Sequence, residues 1–433
     1  MSDSTHYDAL VCGAGVGGLA SARALGELGL RVLLVDRQRA PLDVAKGEVL
    51  QPGALRVLRR WGTERLLRER SAVGLDRLVV RTARGDALMA LDYRQLPDGD
   101  RQLLAHDHLA ILTSLADGLG PEVEIRRGVL VQEPLRDDTG RVTGLRLTQK
   151  GVSHDVRAPL VVAADGISSR LRRAVGIGGR RVDYPHRLVS LDIAGPAWRP
   201  EDFAAYLTDR GLRLAYPLPG GRVRLYLQTR SDELRGLDRG RLEEWAAQAV
   251  GEVPALHGLV PALAAAAGSR QIFSVTRFLS DRLAAPGLAL VGEAAYAVHP
   301  MAAQGMNTAI TSAAALAEQI GRRLGDRPAA GGPSRLDTAT VDAALHAYQA
   351  ERLPFLVQAA QTSGNAARMV TDLSWPGRVV GRRAVRCTGA NPRLLHTVTY
   401  NMAGLGPRPL TPLDRLQQIG LLPDPRAHLV PAG

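Results

Sequence analysis

The sequence is poor in aromatic residues and in cysteine, and each shortage narrows what the chain can be. Aromatic residues make up 4% of it against 45% hydrophobic residues, so we expect a core of mainly Ala, Leu and Val. Two cysteines, Cys12 and Cys387, are too few for a disulfide framework and favour a reducing compartment, the cytoplasm. No apolar run reaches the roughly 18–20 residues of a membrane helix. Residues 1–15 lack the basic region of a signal peptide, so we expect neither secretion nor a membrane span.

Lysine is also scarce, although the chain is basic. The formal net charge is +12, and only Lys46 and Lys150 are lysines, so arginine supplies nearly all of the positive charge. The arginines are scattered through helix-like segments without interleaved aromatic residues, a distribution that argues against nucleic-acid binding. A general attraction for anionic cofactors or substrates fits this charge better. No spacing of His, Cys, Asp or Glu indicates a metal site.

A nucleotide-binding pattern opens the chain. The apolar stretch YDALVC leads into Gly13-Ala-Gly15-Val-Gly-Gly18, a helical pattern follows, and a second apolar stretch, RVLLVD, ends at Asp36. In such a βαβ unit the first glycine permits the turn, the second lets the backbone approach a pyrophosphate, and the third lets helix and strand pack closely. Asp36 can accept hydrogen bonds from a ribose diol and would repel a 2′-phosphate. FAD or NAD is therefore favoured over NADP as the bound nucleotide.

Three later stretches decide between FAD and NAD. They are KGEVLQPGALRVLRRWG at 46–62, LVVAADGISSRLR at 160–172 and VGEAAYAVHPMAAQGMN at 291–307. Together with the N-terminal pattern they resemble the class A flavoprotein monooxygenases with the p-hydroxybenzoate hydroxylase fold. The resemblance covers about residues 7–365, and the joint spacing of the motifs is far more specific than any one of them.

The resemblance and the residue patterns together predict an α/β protein. A Rossmann-like FAD-binding domain is interleaved with a mixed, largely antiparallel β-sheet substrate domain, and a C-terminal helical segment follows. Alternating residues before Leu96, and strand patterns with a hairpin turn at 219–221, indicate the substrate sheet. The predicted boundaries are 1–74, 97–180 and 279–340 for the FAD-binding domain, 75–96 and 181–278 for the substrate domain, and 341–433 for the C-terminal helix and tail.

The resemblance implies contacts to the nucleotide half of FAD. Gly13, Gly15 and Gly18 would hold the pyrophosphate and Asp36 the adenosine ribose. Arg37 would lie against the adenine.

Further contacts are implied closer to the flavin. Lys46 stands where the family often has an arginine beside the ring, and His106 stands at a common FAD-contacting arginine or glutamine. Asp165 matches the aspartate of an Asp-Gly motif that links FAD and pyridine-nucleotide binding in the family. Ser169 and Arg172 complete that motif by holding its loop.

The stretch 291–307 would meet the flavin itself. Glu293 stands at the family's ribityl-binding aspartate, one methylene longer. Gly305, Met306 and Asn307 would bring backbone N–H groups to the O2/N1 edge of the ring and stabilise negative charge there. The changes at Glu293 and His106 leave open an FAD site of altered affinity.

The resemblance also implies a reaction cycle. NAD(P)H reduces FAD, O2 adds at the flavin C4a, and the resulting hydroperoxide delivers one oxygen atom to the substrate while the other leaves as water. Pro300 would lie next to the oxygen-reacting face. His299, beside it, is the second candidate catalytic residue, although a surface or loop histidine is the preferred interpretation.

The substrate stays open between two reactions. Hydroxylation of an electron-rich aromatic compound is preferred, and epoxidation of an alkene is close behind. Either substrate would be bulky, apolar or aromatic, and typical of secondary metabolism such as antibiotic biosynthesis. Candidate pocket aromatics are Trp198, Tyr206, Tyr216 and Tyr226. The alternatives are a non-oxygenating flavin reductase or dehydrogenase on the same fold, and a non-catalytic FAD-binding protein. NADH versus NADPH and the oligomeric state stay undetermined.

Overall fold

The computed structural model describes residues 6–45, 47–324 and 335–430. The strands in these ranges, numbered in chain order, are β1 (Ala9–Cys12), β2 (Val32–Asp36), β3 (Val49–Leu50), β4 (Val73–Leu75), β5 (Arg77–Thr82), β6 (Ala87–Asp92), β7 (Leu103–Ala105), β8 (Val123–Arg127), β9 (Val129–Arg136), β10 (Val142–Gln149), β11 (Val152–Arg157), β12 (Leu160–Ala163), β13 (Gly179–Ile193), β14 (Phe203–Leu207), β15 (Leu212–Leu218), β16 (Arg222–Arg230), β17 (Gln271–Ser280), β18 (Ala284–Ala285), β19 (Leu288–Leu290) and β20 (Tyr296–Ala297). The α-helices are α1 (Val16–Gly26), α2 (Pro52–Arg60), α3 (Thr63–Glu69), α4 (His108–Asp117), α5 (Arg170–Ala174), α6 (Arg239–Gly251), α7 (Val260–Ala267), α8 (Gln304–Leu324), α9 (Thr338–Thr371), α10 (Trp375–Gly389), α11 (Pro392–Ala403) and α12 (Pro412–Gln418).

The first sheet carries the N-terminal nucleotide pattern. Its strands lie in the order β18-β19-β12-β1-β2-β8, and every pair is parallel except β18 with β19. All residues of β1, β12 and β19 are buried, as expected for parallel strands covered on both faces. Because these three strands run in the same direction, the loops that follow them meet at one edge of the sheet. Ligands of open parallel sheets bind at such an edge.

Two glycines determine how closely those loops approach each other. Gly13 has a φ of +102°, and a Cβ there would lie 2.4 Å from the carbonyl oxygen of Ala164. A Cβ on Gly18 would lie 1.7 Å from the carbonyl oxygen of Gly13. Any larger residue at either position would push the β1–α1 turn away from its neighbours.

A second, eight-stranded sheet faces the open edge of the first. Its order is β20-β17-β13-β16-β15-β14-β5-β6, antiparallel at every pair except β14 with β5. Side chains alternate between its faces. On β15, Leu214 and Tyr216 point toward the first sheet, whereas Ala215 packs with the buried residues of α6 and α7. The predicted turn at 219–221 joins β15 to β16.

Helices complete the fold. The predicted C-terminal helical segment begins with the long helix α9, Thr338–Thr371, which has Pro354 inside. Tyr348 of α9 donates to the backbone carbonyl of Leu290 at 2.8 Å, which fixes the helix against β19. Helices α10 and α11 follow and pack against α9 and β6, and α12 packs against α10.

The predicted fold class is confirmed, since a Rossmann-like parallel sheet, a mixed and largely antiparallel sheet and a C-terminal helical segment are all present. The domain boundaries given above stay predictions. Among the described helices, none combines the length and apolarity needed to cross a bilayer.

The close approach at Gly18 gives a first prediction. Gly18→Ala should lower the free energy of unfolding by about 3 kcal/mol or more, because the added methyl group collides with backbone rather than with a movable side chain. Urea unfolding of the purified protein measures this. Gly251→Ala is the matched control, since its Cβ would meet no atom within 4 Å, and it should leave the stability unchanged or raise it by up to about 1 kcal/mol. Equal stability of both variants would contradict the packing argument.

Candidate active site

A cavity of about 320 Å³ lies between the edge of the first sheet and the inner face of the second. The loops that follow β1, β12 and β19, with the first turns of α1 and α8, line one end of it, which we call the glycine end: Gly15, Gly17, Gly166, Gly292 and Gly305. Side chains of the second sheet line the other, which we call the apolar end: Leu188, Phe203, Leu212, Leu214, Tyr216 and Tyr226.

The glycine end is a cradle that side chains would fill. Gly15, Gly166 and Gly305 border the cavity, and a Cβ at any of them would meet no atom within 4 Å. Gly15 is the N-cap of α1, and Gly305 lies in the first turn of α8. The first backbone N–H groups of a helix have no partner within the helix, and the dipole makes that end attractive to anions. This end therefore fits a pyrophosphate and an electron-rich ring edge.

Asp36 and Arg37 lie at the end of β2, as the nucleotide pattern requires. The Asp36 carboxylate accepts hydrogen bonds from the backbone N–H groups of Ala14 at 2.5 Å and Gln38 at 2.6 Å. A carboxylate offers about four acceptor positions, so capacity for a ribose diol remains. Arg37 is exposed directly after the strand. Their roles in binding adenosine stay predictions.

The loop after β12 is tied to the loop after β19. Asp165 Oδ2 accepts from the Arg170 N–H at 2.9 Å, while Asp165 Oδ1 is buried without a hydrogen-bond partner in the described structure. Ser169 caps α5 by accepting from the Arg172 N–H at 3.0 Å. The Arg172 guanidinium donates to the backbone carbonyl of Ala294 at 2.8 Å. Arg172 thus holds the Asp-Gly loop and the Glu293 turn together.

The third motif wraps the middle of the cavity. Glu293, Pro300, Gly305 and Met306 all line it. The Asn307 side chain is buried beneath, against the backbone of Gly404, and its Oδ1 has no hydrogen-bond partner in the described structure. The predicted use of 305–307 depends on their backbone N–H groups, which lie in the first turn of α8.

Two predicted contacts, Lys46 and His106, stay predictions without support from the cavity lining. Lys46 lies outside the described residues. His106 is buried but does not line the cavity, because its Nε2 donates to the Arg70 carbonyl at 2.8 Å and its Nδ1 accepts from the Asp107 N–H at 2.8 Å. His108, two residues later, lines the cavity instead.

His299 lies in the loop between β20 and Pro300, as the preferred interpretation allowed, but it is not at the surface. It is fully buried, and its Nε2 lies 2.9 Å from His186 Nε2. His299 Nδ1 accepts from the backbone N–H of Met301 at 3.2 Å, so in the neutral ring Nε2 carries the proton and donates it to His186. The Tyr184 ring is nearly perpendicular to the His299 ring, with 5.2 Å between centroids. The pair fixes the start of the segment that brings Pro300 and Met301 to the cavity.

Burial keeps both imidazoles neutral. Desolvation lowers the pKa of His186 to about 4 and, together with the neighbouring His186, lowers the pKa of His299 to about 3. Sequence reasoning missed His186, because its partner lies 113 residues away along the chain. The strand alternation that places His186 on the same face as Leu188 was the available clue.

A buried ion pair at the apolar end was also missed. Glu48 lines the cavity and accepts from Arg224 Nε at 2.8 Å, from Arg224 Nη2 at 2.7 Å and from the Tyr216 hydroxyl at 2.8 Å. Burial raises the pKa of Glu48, and the bonds from Arg224 and Tyr216 act in the opposite direction. The bidentate contact from Arg224 opposes the rise in pKa and balances the charge of the carboxylate locally. Glu48 belongs to the motif at 46–62, but its partner Arg224 is 176 residues away along the chain.

The predicted pocket aromatics divide between the two faces of the second sheet. Tyr216 and Tyr226 line the cavity, and Phe203 stacks on Tyr216 with ring centroids 5.0 Å apart. Tyr206 and Trp198 pack on the opposite face with α6 and α7.

A glycine cradle at the carboxyl edge of a parallel sheet, facing an apolar wall on a second sheet, defines a dinucleotide-binding oxidoreductase. Residues 6–360 match the family described as FAD binding domain, and the chain belongs to that family. FAD is its cofactor.

Relatives extend this result. Ubiquinone hydroxylase UbiL of Rhodospirillum rubrum is 28% identical over 424 residues, covering 93% of this chain and 91% of the relative. 6-Methylpretetramide 4-monooxygenase of Streptomyces rimosus is 28% identical over 338 residues, covering 74% of this chain and 78% of the relative. Pseudomonas aeruginosa PqsL in complex with 2-aminobenzoylacetate superposes with a TM-score of 0.74 at 26% identity, covering 85% of this chain and 97% of PqsL.

A more distant structure shows the fold alone. Klebsiella pneumoniae HpxO complexed with FAD and uric acid has a TM-score of 0.74 at 18% identity, covering 93% of this chain and 98% of HpxO. With the family match and the relatives, the protein is an FAD-dependent monooxygenase of the aromatic hydroxylase and epoxidase type.

The open space at Gly15 predicts that a larger side chain there weakens cofactor binding and leaves folding unaffected. Gly15→Val should weaken FAD binding at least about tenfold, because the side chain enters the cradle. The backbone there, with φ −78° and ψ −176°, accepts any residue, so the apoprotein should fold normally. Flavin content and fluorescence titration with FAD measure the effect, with Gly251→Val as control. Full flavin content in Gly15→Val would refute the cradle.

The histidine pair predicts how stability depends on pH. Below the ordinary histidine pKa of about 6.5 the unfolded chain binds protons that the folded pair, with pKa values of about 4 and about 3, does not. The free energy of unfolding should therefore fall between pH 6.5 and 4, by up to about 1.4 kcal/mol per pH unit for each histidine. His186→Gln should reduce that slope, whereas the exposed His154→Gln should not. Urea unfolding at pH 7.5, 6.5 and 5.5 tests this, and identical slopes in both variants would show that the pair is already charged.

Proposed function

We propose that the protein hydroxylates a bulky, apolar aromatic compound, using NAD(P)H and O2 as co-substrates. One observation supports this most: the cavity joins a glycine cradle to an end walled by aromatic and aliphatic side chains. A flavin held in the cradle would face a substrate held against Phe203, Leu214 and Tyr226. Epoxidation of an alkene at the same place is the second form of the reaction.

The residues that would hold FAD follow from the site. Gly13 and Gly18 shape the turn, Gly15 admits the pyrophosphate, and Asp36 and Arg37 are proposed for the adenosine. Bound FAD supplies the activation of O2 and the transfer of one oxygen atom, chemistry that protein side chains lack.

A second group of residues would hold the flavin end of the cofactor. Asp165 keeps a buried, unpartnered oxygen for a polar group, and Glu293 is proposed for the ribityl hydroxyls. The backbone N–H groups of 305–307 would stabilise negative charge on the ring. Lys46 is retained only as a sequence-based candidate, and a direct role for His106 has no support from its position.

The apolar end would exclude water from the reaction. Leu188, Leu212 and Leu214 present no hydrogen-bonding group, and aliphatic walls hold water poorly. Exclusion of water keeps reactive oxygen directed at the substrate. Pro300 and Met301 also line the cavity, and we propose that they form the boundary between the two ends. The His186–His299 pair would act as a positioning pair that holds this boundary, rather than as a group that touches the substrate.

Glu48 would orient the substrate. Its carboxylate lines a largely apolar cavity and is neutralised by Arg224, so it can accept a hydrogen bond without leaving a bare charge. A phenolic hydroxyl is a suitable donor, and the carboxylate would strengthen electron donation into the ring. An aromatic carboxylate would bring a second negative charge beside Glu48 and is disfavoured there.

A role in secondary metabolism is supported by one relative, the 6-methylpretetramide 4-monooxygenase of Streptomyces rimosus. A quinone-type ring is the alternative suggested by the ubiquinone hydroxylase of Rhodospirillum rubrum. Both described cysteines are free thiols, which supports a reducing compartment such as the cytoplasm.

The test is oxygen incorporation. Reconstituted with FAD, the protein should oxidise NADH or NADPH faster when an apolar phenol is added than when the matching benzoate is added. Mass spectrometry should find one atom of ¹⁸O from ¹⁸O2 in the product. Gly15→Val, lacking flavin, is the negative control. Substrate-independent NAD(P)H oxidation that consumes no oxygen would instead indicate a flavin reductase, and preference for the benzoate would overturn the role of Glu48.

A further inference from the structure

Exposed apolar side chains are concentrated in the C-terminal helices. Trp375 is 71% exposed, Val379 49% and Val380 51% on α10, and Leu421 is 63% exposed beyond α12. Scattered single apolar residues are normal on a protein surface, but a contiguous group marks a contact site. With Arg383, Arg386 and Leu422, these residues form what we call the α10 face.

Helical geometry places the α10 residues of this group on one side. At 3.6 residues per turn, Trp375, Arg386, Val379, Arg383 and Val380 fall within about 140° of the circumference. The opposite side of the helix is buried against the protein: Gly381, Ala384, Val385 and Thr388. The outward side of α10 therefore carries an indole, two valines and two arginines without an acidic residue.

The chain after α12 widens this surface. Arg383 donates to the backbone carbonyl of Gly420 at 2.7 Å, and a Cβ on Gly420 would lie 2.9 Å from the Cys387 sulfur. Leu421 and Leu422 follow directly and are 63% and 43% exposed. The two leucines thus extend the apolar part of the α10 face.

Arginine dominates the charge of this part of the chain. Residues 373–413 contain six arginines and neither aspartate nor glutamate. Two of the six, Arg378 and Arg382, pair with Asp209 at 3.2 and 2.8 Å. Arg383 and Arg386 stay on the exposed side. A surface that combines apolar side chains, tryptophan and arginine complements a layer of anionic headgroups above hydrocarbon.

We propose that the α10 face docks on the surface of an anionic lipid bilayer. Trp375, Val379 and Leu421 would enter the headgroup region, where the amphipathic indole ring of tryptophan is stable. Arg383 and Arg386 would contact lipid phosphates. A second copy of the chain is a poorer occupant, because a two-fold symmetric contact would bring two copies of the same arginine-bearing surface together. The inference does not depend on which substrate the cavity takes.

Vesicle co-sedimentation tests the proposal with the full-length, FAD-loaded protein. Binding to vesicles of phosphatidylcholine mixed with phosphatidylglycerol should exceed binding to phosphatidylcholine alone at least about tenfold and weaken at high salt. Arg383→Gln with Arg386→Gln should weaken binding about fivefold for each arginine removed. The exposed pair Arg60→Gln with Arg84→Gln is the matched control and should bind as the unaltered protein does.

The apolar part has its own test. Trp375→Ser should weaken vesicle binding several-fold, whereas Val152→Ser, at a valine 68% exposed on β11, should not. Subtracting the tryptophan fluorescence spectrum of Trp375→Phe from that of the unaltered protein gives the emission of Trp375. This emission should shift to the blue when anionic vesicles are added. Circular dichroism confirms that each variant folds.

Three results would overturn the proposal. They are equal binding to neutral and anionic vesicles, the absence of vesicle binding, and unchanged binding of both the arginine and the Trp375 variants. Sedimentation velocity, which measures the oligomeric state, tests the alternative that a second copy of the chain covers the α10 face. The α10 face would instead be a contact between copies if the protein did not bind vesicles, formed a dimer, and lost that dimer in the Trp375 and arginine variants.

Discussion

The structure depends on the close approach of three loops at one edge of the parallel sheet. Gly13 lies against the carbonyl of Ala164, and a Cβ on Gly17 would lie 3.2 Å from the Cα of Gly292. These distances leave no room for side chains, so the loops after β1, β12 and β19 share one backbone surface. That surface borders the glycine end of the cavity. The cofactor cradle is therefore a consequence of backbone packing.

The second sheet contributes what the cradle lacks. Its inner face supplies the apolar walls, and Arg224 on β16 reaches Glu48, which precedes β3 and whose carbonyl accepts from the backbone N–H of His106. This buried ion pair joins the segment after β2 to the sheet that covers it. Because each charge would be costly if left alone in the interior, the pair fixes the position of the segment relative to the sheet.

The sequence predicted local structure well and distant pairings poorly. The strand, turn and helix around Gly13, Gly15 and Gly18 follow from residue type and short spacing, which is why the fold class could be inferred. His186 with His299, and Glu48 with Arg224, depend on strand order in the second sheet, which no local pattern specifies. The alternation of side chains could not say which face of that sheet meets the cavity, so the four candidate aromatics divided evenly between the faces. The predicted FAD contact of His106 came from the family resemblance alone, and both of its ring nitrogens form hydrogen bonds with backbone groups instead.

Arg172 joins three parts of the molecule at one guanidinium. It binds the carbonyl oxygens of Ile167 and Ala294, and it lies 4.2 Å from the centre of the Phe278 ring on β17. The Asp-Gly loop, the Glu293 turn and the outer part of the second sheet are thus braced as one rigid frame. In such a frame the protein fold sets the distance between the cofactor site and the substrate site before either ligand binds. Any conformational change that admits a large substrate must then involve other elements, which Arg172 does not contact.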